Sequence, residues 1–128
     1  MNAETVLDFI QKHEGTCARL DKLERYYKGD NDILKRTMTD PNRPNNKIAH
    51  PFGTYITDLL TGYFMGKPIT YSSQDDNEAD FKEVKAVLGY NNEQSKNTKL
   101  ARDVSIFGKA YEVLYVAEDG NMEFTPVD

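Results

Sequence analysis

Cysteine, histidine and tryptophan are nearly missing from this chain, which has one, two and none of them in 128 residues. A lone Cys17 forms no internal disulfide, and there is no N-x-[ST] sequon, so the sequence fits a reducing compartment or a particle assembled in one. The two histidines, His13 and His50, are far apart and build no H-E-x-x-H zinc helix. Long apolar runs are also missing. The most apolar stretch, residues 52–66, is 15 residues long and contains Asp58, whereas a bilayer span needs about 20 apolar residues. The start, Met1-Asn2-Ala3-Glu4 and then Asp8, has no basic region leading into an apolar one, so no signal peptide is expected. Positive charge is not in excess either. Sixteen Lys and Arg face 21 Asp and Glu, a net of −5, which is not the footprint of an autonomous nucleic-acid binder. Residues 12–47 hold nine basic and six acidic side chains, net +3, leaving −8 elsewhere; this bias reads as a solvated face. No repeat or low-complexity segment appears.

What is present describes one small domain with a modest core. Hydrophobic residues are 38% of the chain and aromatic ones 11%, which argues against disorder. Val6, Phe9, Ile10 and His13 predict a short amphipathic helix that Gly15 breaks. Thr16 then caps a second helix with Cys17, Leu20, Leu23 and Tyr27 on one face and Asp21 paired with Arg25, ending at Lys28-Gly29. Residues 30–46 are polar, hold Pro41 and Pro44, and predict an arm with one short turn at Ile33-Leu34. Pro51 starts a central helix that is apolar around most of its girth, and Gly66 and Pro68 stop it. Ile69-Thr70-Tyr71 is a strand candidate, followed by a polar link. Asp76 or Asn77 caps a helix carrying Phe81, Val84 and Leu88, closed by Gly89. A last helix over 93–107 closes at Gly108. Tyr111 to Val116 reads as a strand buried on both faces, and Asp119-Gly120 turns it into a return strand through Met122 and Phe124. The fold class is α+β, with a helical hairpin over 1–29, a loop or arm over 30–50 and an α/β core over 51–128. A hairpin of two strands is marginal alone, so the ending at Val127-Asp128 reads as a cut edge.

The usual catalytic patterns fail one by one. Gly62-Tyr63-Phe64-Met65-Gly66-Lys67 has its glycines one residue too close for a P-loop, and Pro68 stands where Ser or Thr must hold magnesium. As G-x-x-x-G, the same pair points to close packing. Asp30-Asn31-Asp32 begins like a calcium loop, but Leu34 and Lys35 occupy the next ligand and glycine positions, and 75–80 fails through Phe81. Glu83-Val84-Lys85 resembles the tail of a nuclease E-x-K motif with no Pro-Asp partner. Cys17 lies on an apolar face, as an inert buried thiol does. No catalytic, cofactor or metal residue is assigned, and the chain is not expected to be an enzyme.

Several blocks together carry a family likeness. Leu23-Glu24-Arg25-Tyr26-Tyr27-Lys28-Gly29 is followed by Asp32-Ile33 and Arg36, then Asn45-Asn46-Lys47-Ile48. Next come Tyr55-Ile56-Thr57-Asp58 and Gly62-Tyr63-Phe64-Met65-Gly66-Lys67-Pro68-Ile69-Thr70-Tyr71. Ala101-Arg102-Asp103-Val104-Ser105-Ile106-Phe107-Gly108-Lys109-Ala110-Tyr111-Glu112, Tyr115 and Val127-Asp128 complete the order. From Leu23 onward the chain resembles the N-terminal part of the portal proteins of tailed phages and prophages of Gram-positive bacteria, at the start of the wing region. The resemblance implies a structural subunit of a dodecameric homo-oligomeric ring at the capsid vertex, assembled in the host cytoplasm and carried in the virion. It implies double-stranded DNA passing through the ring, with terminase, capsid or scaffold and head-completion proteins as partners, and no membrane.

Members of that family are several times longer, so no DNA-contact residue is carried over, and Lys47, Lys67 and Lys109 are not assigned to a channel. Packing or interface positions are expected at Phe52, Ile56, Leu59, Leu60, Tyr63 and Phe64, and sheet core at Tyr111, Val113 and Tyr115. Two rivals stand beside this reading: a stand-alone interaction module from a prophage remnant, and a packaging-associated nuclease.

Overall fold

The computed structural model describes residues 2–40, 42–72 and 78–127. Its fold is α+β, with four α-helices and a two-stranded antiparallel hairpin among the described residues. The helices are α1 (Ala3–Tyr27), α2 (Phe52–Met65), α3 (Glu78–Tyr90) and α4 (Glu93–Phe107); the strands are β1 (Tyr111–Val116) and β2 (Met122–Val127). The chain divides into two compact units, Met1–Thr57 and Asp58–Asp128, so the division falls inside α2.

In the first unit α1 is one continuous helix of 25 residues, not the predicted helical hairpin broken at Gly15. A mid-helix glycine costs only about 1 kcal/mol against alanine, and no turn residue beside it makes a break worthwhile. Thr16, expected to cap a second helix, instead donates its hydroxyl to the His13 carbonyl at 2.7 Å, bonding back along the same helix. The predicted end is observed: the Lys28 N–H bonds the Glu24 carbonyl at 2.8 Å, and Gly29 takes φ +84°. The arm holds the expected turn as a 3-10 segment, Asp32–Lys35; Pro41 lies outside the described residues. The base of the arm is clipped by side chains. Arg36 Nε and Nη2 donate to Asn45 Oδ1 at 3.2 and 3.1 Å, and Asn45 Nδ2 donates back to the Arg36 carbonyl at 3.2 Å.

The start of α2 lies against the end of α1. A Cβ added at Gly53 would sit 3.0 Å from the Tyr26 carbonyl oxygen, and the Thr54 hydroxyl donates to the Tyr27 carbonyl. A side chain there would require the Tyr26 backbone to give by a few tenths of an ångström.

In the second unit the strand candidate Ile69-Thr70-Tyr71 forms no strand, because no described segment pairs with it. The Tyr71 hydroxyl donates to the Glu93 carboxylate instead. The capping positions Asp76 and Asn77 lie outside the described residues. α3 runs past Gly89, and the turn into α4 comes at Asn91 and Asn92, the latter at φ +50°. α4 closes at Gly108, φ +81°, as expected.

Register in the hairpin pairs Tyr111 with Val127 and Leu114 with Phe124. β1 is exposed along its whole length, so Tyr111, Val113 and Tyr115 are not the sheet core, and the expected burial on both faces is not found. α4 packs against β2, and β1 stays exposed on both faces. Phe124, on β2, is the one buried hydrophobic among the described residues, at 8% exposure.

Asn91, itself buried, holds β2 in place. Its Nδ2 donates to the Val87 and Met122 carbonyls, both at 2.9 Å, and its Oδ1 accepts the Phe124 N–H at 3.1 Å and Lys96 Nζ at 2.9 Å. The side-chain amide imitates a neighbouring strand, and Lys96 adds a bond to the Phe124 carbonyl. Pro126 fits the same edge, since the N–H it lacks would face away from β1. Asn91→Ala leaves buried strand groups unpaired and is expected to destabilise the chain by about 2–4 kcal/mol, read as a lower urea midpoint.

Candidate functional site

No group of three or more His, Cys, Asp and Glu side chains is placed to hold a metal ion among the described residues. Gly62 lies in the last turns of α2 and Gly66 just beyond it, which is a helix end and not a phosphate-cradling loop. The side-chain chemistry that the described residues do show is that of surfaces and latches. Two features concentrate it: the charged network at the α1 end and the outward face of α2.

The network gathers residues of the first resemblance block. Arg25 Nη2 meets Asp32 Oδ1 at 2.5 Å, and Arg25 Nη1 donates to the Asp30 carbonyl at 3.1 Å. The Tyr26 hydroxyl donates to Asp32 Oδ2 at 2.5 Å, while Lys22 Nζ stands 3.6 Å from the same oxygen. Lys35 Nζ binds Asp30 Oδ2 at 3.1 Å. Arg25 thus reaches forward to Asp30 and Asp32 in place of the expected i,i+4 pair with Asp21. The helix has ended by then, so the aspartates fold back beneath the guanidinium, where its fork takes two acceptors at once.

The hydrogen bond from Tyr26, followed by that from Arg25, lowers the Asp32 carboxyl to a pKa of about 2. The same bond raises the Tyr26 phenol, and Lys35 holds Asp30 below its ordinary range. These are the carboxylates that looked like the start of a calcium loop; here they are spent on cations and a phenol.

The face of α2 that is sheltered from water consists of Thr54, Thr57, Thr61 and Met65, spaced as one helical stripe. Phe52, Ile56, Leu59, Leu60, Tyr63 and Phe64 are all exposed, Tyr63 at 90% and Phe64 at 74%. An apolar girth with a threonine stripe turned inward is the reverse of a surface helix on a soluble core. Reading the sequence could find the apolar girth but not its outward direction, because threonine reads as the solvent side of a helix. Thr61 Oγ1 is buried with no hydrogen-bond partner among the described residues.

Comparison with known proteins adds to this geometry. A family described as "Phage portal protein, SPP1 Gp6-like" matches residues 7–128, so the match takes in most of α1 as well as the blocks from Leu23 onward. The portal protein of Bacillus phage SPP1 is 28% identical over 140 aligned residues, covering 95% of this chain and 26% of that protein. The chain thus spans about a quarter of the length of that relative.

Two measurements test the site. Carbon-detected titration should give Asp32 a midpoint near 2, against about 3.9 for a free aspartate, and Tyr26→Phe should move it upward. A lowered native pKa means that this contribution to stability is present above about pH 4 and disappears as pH falls toward 2. Thr61→Val, which keeps the shape and removes the unpaired hydroxyl, should stabilise the chain by about 1 kcal/mol in thermal melts.

Proposed function

The chain belongs to the phage portal protein family of the SPP1 Gp6-like type, and on that premise we propose that it serves as a wing segment of a portal subunit. In this reading identical subunits form a ring, dodecameric in the whole protein, at one vertex of the capsid. The ring conducts double-stranded DNA during packaging and ejection. Terminase, capsid or scaffold proteins and head-completion proteins dock on it, first in the host cytoplasm and then in the virion. The role of the chain is structural rather than enzymatic.

The outward apolar face of α2 is the observation that carries this proposal. Six large side chains, Phe52 through Phe64, lie in water in the single chain, and burying even one such group contributes roughly 1.5–3 kcal/mol. A helix with this surface is built to be covered by more of the same assembly. The latches at the α1 end support the reading in a second way. A wall element has to keep its shape without a thick core, and charged and amide clips supply that locally.

Light scattering on the 128-residue chain is expected to show a monomer or weak association; a stable ring from these residues alone would count against the assignment to one wing segment. Within the complete portal, Phe64→Asp is expected to cost the fold under about 0.5 kcal/mol, because the site is exposed, yet to reduce ring assembly seen by native mass spectrometry. Normal rings from that variant would remove α2 from the interface.

A further inference from the structure

We draw no further inference here: the strongest candidate, the side-chain cluster of Tyr90, Tyr115, Asp119 and Glu123 between the end of α3 and the hairpin, is an acidic cluster whose carboxylates already accept those two phenols, and nothing in the structure points to a ligand there.

Discussion

The seating of β2 against α3 and α4 turns on one buried side-chain amide. Asn91 uses both of its donors and both lone pairs of its oxygen, joining the last turn of α3, the first turn of α4 and the edge of β2. No apolar cluster does this work, because Phe124 is the one large hydrophobic that is buried among the described residues. A hydrogen bond on the surface contributes little, but an amide buried with every bond made carries the full desolvation cost of its partners if it is lost. The hairpin is held where it is because moving it would leave Met122 and Phe124 with unpaired backbone groups.

Polar fastening recurs in the other unit. Arg25, Tyr26, Asp30 and Asp32 tie the end of α1 to the start of the arm, and Thr54 and Gly53 bring the start of α2 against α1. Large apolar side chains meanwhile remain outside, on α2 and on both faces of β1. On the proposed reading, this division of labour suits a piece of a larger assembly. Directional bonds define each local shape within the chain, while undirected apolar area is left for contacts with whatever surrounds it.

Local signals were the legible ones. Gly29 and Gly108 end helices, Pro51 precedes one, and Asp119-Gly120 makes the hairpin, because each acts through the conformation of one or two residues. Gly15 misled, since glycine lowers helix stability without forbidding the helix, and Gly89 misled in the same way. Ile69-Thr70-Tyr71 has the composition of a strand, but strand formation needs a partner, which composition does not reveal. The Asn91 latch was invisible for a related reason. Its partners lie 31 and 33 residues away, and an Asn-Asn pair after a helix reads simply as a turn. The apolar side chains of α2 were readable as contact material; that threonines occupy the sheltered stripe was not.

The clip between Arg36 and Asn45 bears on how such a chain tolerates change. Because each side chain bonds the other and Asn45 also returns to the Arg36 backbone, the loop is closed at its base whatever lies between. Closing a longer loop adds only about 0.6 kcal/mol for each doubling of length. Residues 37–44 are therefore a site where evolution can lengthen, shorten or decorate the arm without disturbing the helices on either side of it.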